Sequence, residues 1–343
     1  MVHIEIITAS SIHEIEAAVW DRLSDTRPFQ SHRWYVFGER VMGDCMPSYF
    51  LVYEGDDLVA RAAFWRIPNE PLPDLPPALR TPAALLLQRW PLFICRSPLA
   101  NTTGLILPND ARRGEALLAL AEAVIAEASQ QGASAVVFDY LEADELHGWP
   151  STLRQVTVPN PGTVLENRWQ NLDDFLASGN KKDRQHYKRT LREAERQGIR
   201  VTKYAEVPDI EAALTLIRAV EARHGNMPNP WVRNLLENMP LVGGAWLEAR
   251  RGDQLVGGGM LLEDNGAQMT TALGLAADVP YVYFLLVYAS LAAAFEKKVR
   301  CLRWGSGAYA FKQRLGFTLE RNNHAMAAGV GMIPRLACKI FLG

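Results

Sequence analysis

The chain has 343 residues, 48% of them hydrophobic, and a formal net charge of -2. This length and apolar content can form at least one large core, and the length favours two domains. Because the net charge is slightly negative, the whole molecule does not match a polyanion, so any polyanion site must be a local patch. The four cysteines lie far apart without CxxC or CxxH spacing, which predicts reduced, buried thiols and gives no support for a metal site.

The chain begins with MVHIEIITASS, which lacks the basic segment and apolar run that direct a protein to export. Its most apolar segment, 283–295, is too short to span a bilayer, so we expect it to form a buried core helix. No uninterrupted run of 18 apolar residues occurs in the sequence. These features predict a soluble, cytoplasmic protein with no integral membrane segment.

The first half of the sequence alternates between strand and helix patterns. Apolar runs on both sides of a glycine turn predict a hairpin over 49–65, and six prolines in 67–87 predict an irregular surface excursion. The other predicted elements are a strand at 3–8, a helix at 11–23, a helix ending near Met42, a strand at 91–96, a polar loop at 97–104, an amphipathic helix at 112–130 and a strand at 133–141.

A proline–glycine stretch at 159–162 predicts a linker into the second half. The predicted elements that follow are a strand at 163–166, helices at 171–178 and 180–197, a strand at 200–204, a helix at 208–223, a hairpin over 245–262, a strand at 269–275, a helix at 283–298 and a strand at 301–304. Both halves therefore show helices, a hairpin, a strand, a helix and a strand in the same order. This repetition predicts two copies of one mixed α/β fold, in domains 1–160 and 161–343.

The strand–helix–strand pattern at 269–304 is followed by a small-residue turn and then by Tyr309-x-x-Lys312-x-x-x-Gly316-Phe317. This order resembles the second half of the Gcn5-related N-acyltransferase (GNAT) fold, and it is most similar to the FemAB-like, peptidoglycan aminoacyltransferase-like branch. The resemblance covers most of the chain. It implies two tandem GNAT-like domains, each a mixed sheet flanked by helices, with 318–343 packed back on the first domain.

The resemblance also implies an activity. FemAB-like enzymes transfer an aminoacyl group, and we expect an aminoacyl-tRNA donor and an amine acceptor, either a small molecule or a peptidoglycan precursor. Residues 277–285 contain no glycine where the acetyl-CoA pyrophosphate loop of other GNAT proteins lies. Aminoacyl-tRNA or acyl-CoA would be a co-substrate, and no cofactor is expected. An acyl-CoA donor and a non-catalytic binding module with the same fold are the alternatives.

The predicted helix 180–197 is strongly basic. Cations recur every three or four residues at Lys181, Arg184, Lys188 and Arg192, so they share one face, and Arg189 lies beside them. Such a stripe attracts phosphates, for example those of tRNA, a nucleotide-linked sugar or CoA. A solvated outer helix is the competing interpretation, because charged residues are also typical of helix faces exposed to water.

Chemistry-bearing side chains also cluster after the last strand of the second half. Tyr309 is a candidate acid for the departing group, Lys312 a candidate phosphate anchor, and Trp304 a candidate substrate contact. Gly305, Gly307 and Gly316 would allow the backbone to approach a ligand closely. The remaining candidates are Asp139, as a catalytic residue at the end of a strand, and His224 and Trp231, as substrate contacts. For each residue, a purely structural role is the competing interpretation.

Overall fold

A computed structural model of the chain describes residues 4–24, 27–71, 76–158 and 160–330. The chain forms two compact units. One unit comprises Met1–Pro161 together with Arg321–Gly343, and the other comprises Gly162–Glu320. The predicted linker residue Pro159, the fourth cysteine Cys338 and the rest of 331–343 lie outside the described residues.

The first unit contains a mixed sheet with the strand order β1-β2-β3-β4-β6-β15-β7, with β5 paired to β3. The strands are β1 (Ile4–Ala9), β2 (Met46–Glu54), β3 (Asp57–Ile67), β4 (Leu92–Cys95), β5 (Leu105–Ile106), β6 (Ala135–Leu141), β7 (Arg154–Thr157) and β15 (His324–Gly329). Strands β4 and β6 are parallel, and the other pairs are antiparallel. The described helices are α1 (Ala17–Asp21), α2 (His32–Val41), α3 (Pro77–Arg89) and α4 (Arg113–Gln130).

The second unit contains a mixed sheet with the order β14-β8-β13-β12-β11-β10-β9. Its strands are β8 (Thr163–Glu166), β9 (Ile199–Tyr204), β10 (Ala245–Arg251), β11 (Gln254–Asp264), β12 (Ala267–Leu275), β13 (Cys301–Trp304) and β14 (Thr318–Leu319). Its helices are α5 (Leu172–Ser178), α6 (Lys181–Arg196), α7 (Ile210–Arg223), α8 (Val232–Asn238), α9 (Val282–Glu296) and α10 (Tyr309–Arg314). Strands β12 and β13 are parallel, which is the pairing that a strand–helix–strand crossover produces.

The two sheets have the same pattern of parallel and antiparallel pairs. In each order, the first four strands (counted from β1 and from β9) pair antiparallel. The fourth and fifth strands are parallel, and the last two strands pair antiparallel again. The strand next to the crossover strand comes from the far end of the chain in the first unit (β15) and from the start of the unit in the second (β8). The predicted class, two mixed α/β sheets flanked by helices, is therefore confirmed.

Two predicted elements in the first unit are wrong. The continuous helix over 11–23 is a short 3₁₀ turn at Ile12–Glu14 and a separate helix α1, because Ile15 and Glu16 take extended backbone angles between them. The region 67–87 is not irregular throughout, because α3 starts at Pro77. A proline in the first turn lacks only an N–H that has no partner inside a helix, and the Ala- and Leu-rich sequence after it favours helix.

The long apolar helix predicted near 283–298 is confirmed as α9. Its buried side chains, including Leu291, Ala294 and Phe295, pack with apolar residues from both ends of the unit, among them Leu165 and Phe317. The three described cysteines, Cys45, Cys95 and Cys301, are buried free thiols, as predicted. Within the described ranges, we find no helix with the length and apolarity needed to cross a membrane.

Candidate functional site

The basic helix α6 is oriented by a polar cap and by its inward face. Asn180 caps the helix, because its Oδ1 accepts a hydrogen bond from the Asp183 amide at 3.0 Å. Asp183, Thr190 and Ala194 are buried, while the lysines and arginines of the helix face outward. The alternation of buried and charged positions therefore turns a row of cations to the surface of the second unit.

An open groove of about 870 Å³ runs along this surface. Its lining residues are Lys182, Gln185, His186, Lys188, Arg189, Leu191, Arg192 and Arg314. Five of the eight carry a positive charge, and none carries a negative charge. Seven come from α6 and one from α10, so the groove belongs entirely to the second unit.

One ion pair joins the two helices that line the groove. Arg314 Nη2 lies 2.8 Å from Asp183 Oδ1, and the Asp183 side chain is buried. Arg189 lies over the Tyr281 ring at 5.7 Å. Lys182, Lys188 and Arg192 form no ion pair with any acid in the parts of the chain that are described. Since only Arg314 is neutralised, the groove keeps a strong positive potential that attracts anions.

His186 is the one titratable residue of the groove that changes charge near neutral pH. Its Nδ1 lies 3.0 Å from the hydroxyl of Tyr288, a residue that is 3% exposed. Burial lowers the pKa of His186, the Arg189 and Arg314 charges lower it further, and Asp183 acts in the opposite direction. Burial raises the pKa of Tyr288 to about 12, so its phenol keeps its proton at neutral pH.

The pKa directions indicate a neutral imidazole, and the hydrogen bond to Tyr288 indicates which of its nitrogens carries the proton. Among the described residues, His186 Nδ1 is the hydrogen-bond partner of the buried Tyr288 hydroxyl. Because a buried O–H needs an acceptor, we assign Tyr288 as the donor and Nδ1 as the acceptor. The neutral imidazole then carries its proton on Nε2, which makes His186 an uncharged N–H donor in a groove lined with cations.

Partly exposed aromatic rings surround this histidine. The imidazole meets the Phe284 ring edge-on at 4.6 Å and lies 6.0 Å from the Phe311 ring. Phe284 also contacts Phe311, at 5.0 Å, and Tyr283, at 5.3 Å. The end of the groove at His186 is therefore bordered by aromatic faces on which a planar group can stack.

The glycine turn after β13 leads directly into the short helix α10. Gly307 and Ala308 both have left-handed backbone angles, at φ 88° and 48°. Lys312 is 7% exposed, and its Nζ donates to the Gly305 carbonyl across the turn. Burial lowers the pKa of Lys312 to about 8. Its amino group therefore holds the turn closed, and it does not project from the surface as the proposed phosphate anchor would.

Tyr309 is the first residue of α10, the helix whose last residue, Arg314, lines the groove. Its side chain is half-buried. Trp304 is buried and stacks on Phe317 at 4.2 Å, and its Nε1 has no hydrogen-bond partner in the described structure. Tyr309 therefore shares a short helix with a groove residue but does not itself line the groove, whereas Trp304 packs in the core beneath the turn.

Three predicted residues do not line the groove. His224 is exposed and caps the C-terminus of α7, and Trp231 is buried at the start of α8. Asp139 lies on β6 of the first unit, 3.9 Å from Arg96, which also pairs with Glu70. Burial raises the pKa of Asp139, and Arg96 opposes this shift. These positions give the three side chains capping, packing and ion-pair contacts, and their functional roles stay predictions.

The groove contains part of the predicted basic stripe. Lys188, Arg189 and Arg192 line it, whereas Lys181 and Arg184 do not, and Arg184 donates to the Gly179 carbonyl at the start of the helix. The sequence analysis missed Lys182, Gln185, His186, Leu191 and Arg314. Helical spacing could have pointed to Gln185 and Lys182, because they lie four and seven residues before Arg189, one and two turns along the same face. No local signal connects Arg314 to Asp183, 131 residues earlier.

Comparisons with known proteins agree with this architecture. Residues 181–313 match the acetyltransferase (GNAT) domain family. The fold is similar to a crystal structure of FemX (12% identity, 99% of this chain and 100% of that chain, TM-score 0.63). It is also similar to a tandem GNAT protein from the clavulanic acid biosynthesis pathway (14% identity, 96% and 99% covered, TM-score 0.57).

A third similar structure is the C-terminal domain of a putative lysylphosphatidylglycerol synthetase from Agrobacterium fabrum (14% identity, 96% of each chain covered, TM-score 0.53). No curated protein sequence matches the chain. At these identities the structures establish the fold, and the family match establishes the class of the second unit. The chain is an acyltransferase with a tandem GNAT-like fold, and its residues 181–313 form a GNAT domain.

Proposed function

We propose that the chain is a FemAB-type N-acyltransferase that moves an aminoacyl group from an aminoacyl-tRNA to an amine in the cytoplasm. The observation that carries this proposal is the groove on α6, where five cations gather in a chain of net charge -2. A tRNA end carries a chain of phosphates that such a groove can track, and its unpaired bases have faces that the neighbouring aromatic rings can stack on.

The reaction needs few parts. The acceptor amine attacks the ester carbonyl carbon of the donor, a tetrahedral oxyanion forms, and the C–O bond to the ribose breaks. The amine loses a proton, and the ribose oxygen leaves as a hydroxyl after gaining one. We assign Tyr309 to deliver that proton, because it begins the short helix α10, whose last residue, Arg314, lines the groove. Lys312 acts indirectly: its amino group donates to the Gly305 carbonyl and so fixes the turn that leads to Tyr309.

The fold supports this assignment at the level of class. One similar structure is FemX, and another belongs to a putative lysylphosphatidylglycerol synthetase. The region between β12 and α9, where a pyrophosphate-binding loop would offer glycine amides, has none from 277 to 285. The backbone there turns at Tyr281, in a left-handed conformation at φ 70°. These features favour a donor whose phosphates are held elsewhere, at the groove on α6.

The test is a side-by-side measurement of binding to aminoacyl-tRNA, uncharged tRNA and acyl-CoA at several salt concentrations. We expect tRNA binding that weakens steeply with salt, because bound cations release counterions. The double variant Lys188→Glu/Arg192→Glu should lose most of this binding. The matched control is Arg200→Glu/Arg251→Glu, which reverses two arginines of the same unit that do not line the groove. Equal losses in both variants would show a general charge effect and contradict the proposal.

An acyl-CoA donor is the second candidate. It is favoured by the similarity to a tandem GNAT protein whose structure is described as being without AcCoA. Under this alternative, acyl-CoA would bind and tRNA would not, and the reversal at Lys188 and Arg192 would affect only the pyrophosphate and 3′-phosphate contacts. If neither donor binds, the chain is a binding module that retains the fold alone.

A further inference from the structure

Helix α3 of the first unit shows a surface that folding alone does not explain. It lies in the connection between β3 and β4, two strands that pair directly in the sheet, and this connection comprises residues 68–91. At the equivalent place in the second unit, β11 and β12 are joined by the two-residue turn Asn265-Gly266. The sheet topology therefore does not require an inserted helix at this position.

None of the described side chains of α3 is buried. Leu79, Leu86 and Trp90 are 53%, 55% and 48% exposed. Together with Ala83 they are spaced four, three and four residues apart, so they form one apolar stripe along the helix. Apolar stripes with this period normally face a core, yet the three large side chains of this stripe are about half exposed to solvent.

The charges on the helix itself are all of one sign. Arg80 and Arg89 fall on opposite borders of the stripe, and Arg89 lies over the Trp90 ring at 5.7 Å. The helix contains these two arginines and no aspartate or glutamate. Thr81 and Gln88 lie on the face opposite the stripe. This is the distribution of a helix that lies flat on a membrane, with cations at the headgroup level and an aromatic ring at the boundary.

We propose that α3 is a membrane-surface anchor, which lays the stripe of Leu79, Ala83, Leu86 and Trp90 into the headgroup layer of an anionic bilayer. A bilayer fits better than a protein groove because cations lie on both borders of the stripe and the helix carries no acid. The anchor would hold the enzyme at a surface without crossing it. It is independent of the donor that the second unit uses.

The experiment is co-flotation of the full chain with vesicles of phosphatidylcholine, with and without phosphatidylglycerol. Two adjacent leucines of similar exposure provide a matched pair, because Leu86 lies on the stripe while Leu85, 62% exposed, lies outside the Arg89 border. We expect the wild type to bind the anionic vesicles and Leu86→Gln to reduce the partition coefficient about tenfold. Leu85→Gln should change it little, because its side chain remains in water in either state.

The charge component is tested separately. Arg89→Gln should weaken binding about fivefold, and raising the salt concentration should remove that difference. Far-UV circular dichroism and thermal unfolding verify that each variant is folded, as expected for changes at exposed positions. Absence of wild-type binding to anionic vesicles overturns the proposal, as do equal effects of Leu85→Gln and Leu86→Gln. Concentration-dependent dimers that Leu86→Gln weakens would assign the stripe to a second copy, which also overturns it.

Discussion

The sheets of the two units have the same pattern of strand pairs. The units differ in whether their arginines are buried or exposed and in where extra helices are inserted. The first unit encloses Arg61, which is 0% exposed, and inserts the exposed helix α3 between two strands. The second unit closes the equivalent turn in two residues and adds the basic helix α6 ahead of β9. The common sheet supplies a scaffold in both units, and the added segments make the surfaces of the units different.

The buried arginine illustrates how differently the same residue type is used. The Arg61 guanidinium lies 3.8 Å from the Trp20 ring centre, and Nη2 donates to Ser24 Oγ and the Gln30 carbonyl, both at 2.9 Å. Burial lowers the pKa of Arg61 to about 10, so it stays charged at neutral pH. In contrast, Arg192 in the second unit is exposed and lines the groove. One arginine is part of a core, and the other is available to a ligand.

The largest effect is expected when the two arginines, Arg61 and Arg192, are each replaced by alanine. Arg61→Ala should lower the free energy of unfolding by about 3 kcal/mol, since it removes a fully buried side chain and its stacking on Trp20. Arg192→Ala should change it by less than about 0.5 kcal/mol, as is typical of an exposed position. Denaturant unfolding monitored by tryptophan fluorescence measures both. Similar losses in the two variants would contradict the contrast between core and groove.

Arg61→Met refines the interpretation. Methionine fills much of the volume without a charge, so it should recover part of the stability that Arg61→Ala loses. If Arg61→Met is as unstable as Arg61→Ala, the hydrogen bonds to Ser24 and Gln30 outweigh packing at this site. If it is more stable than the wild type, the buried charge is a net cost to folding.

The second prediction compares Tyr309, which follows the crossover strand of the second unit, with a tyrosine near the end of the crossover strand of the first. Tyr309→Phe should lower the turnover rate by about 10²-fold, the effect typical of losing one acid catalyst, with little change in stability. Tyr140→Phe, near the end of β6 in the first unit, is the matched control and should leave the rate nearly unchanged. Steady-state kinetics with the donor identified by the binding assays measures both variants. Full activity in Tyr309→Phe would remove Tyr309 from the mechanism.

Part of this architecture could be predicted from the sequence. The crossover of the second unit was predictable because α9 is an unbroken apolar run and Cys301-Leu-Arg-Trp304 reads as a short strand. Helix α3 was not, because six prolines in 67–87 conceal the helix-forming run that starts after Pro77. Strand β15 consists mostly of alanine and glycine, and it is a strand because it pairs with β6 and β7 far away in sequence.

The candidate site, like the fold, could be predicted from the sequence only in part. Helical periodicity predicted a cationic face on α6, and two residues of that face, Lys188 and Arg192, line the groove together with the neighbouring Arg189. The wall made by Arg314 depends on its ion pair with buried Asp183, and that pairing is a tertiary contact between helices distant in sequence. Local sequence also could not reveal that the Lys312 amino group turns inward to the Gly305 carbonyl. Helical periodicity predicts which residues share one face of a helix, and tertiary contacts determine which residues of other elements lie against that face.

A third prediction uses that inward-facing lysine. The pKa of Lys312 is about 8 in the folded protein and about 10.5 when unfolded, because burial disfavours its charge. Between these pH values the unfolded chain binds the proton and the folded one does not, so the free energy of unfolding should rise with pH across this window. Lys312→Met should abolish that rise. Denaturant unfolding of wild type and variant from pH 7 to about 10.5 measures it.

The difference between the two proteins isolates Lys312 from other groups that titrate at high pH. Lys297→Met is a suitable control, since Lys297 is partly exposed and pairs with Glu263 at 2.7 Å. This control should keep the wild-type rise. If Lys312→Met also keeps this rise in stability, folding does not lower the pKa of Lys312, and its role in fixing the turn needs another explanation.

The smallest expected effect concerns the histidine of the groove. Burial, Arg189 and Arg314 keep the pKa of His186 below its usual value of about 6.5, so His186 is neutral at pH 7. As the pH falls below that value, the imidazole gains a proton and adds a sixth positive charge to the groove. The affinity for a phosphodiester ligand, which does not itself titrate in this range, should therefore increase by a few-fold.

Binding of a short single-stranded oligonucleotide from pH 7.5 to about 5 tests this expectation. His186→Gln keeps a hydrogen-bonding side chain but cannot gain the charge, so its affinity should not vary with pH. His224→Gln is the matched control, because His224 is an exposed histidine of the same unit that lies outside the groove. It should retain the wild-type pH dependence. The same dependence in His186→Gln would mean that protonation elsewhere controls binding, and the assignment of Tyr288 as donor to Nδ1 would then lose its functional consequence.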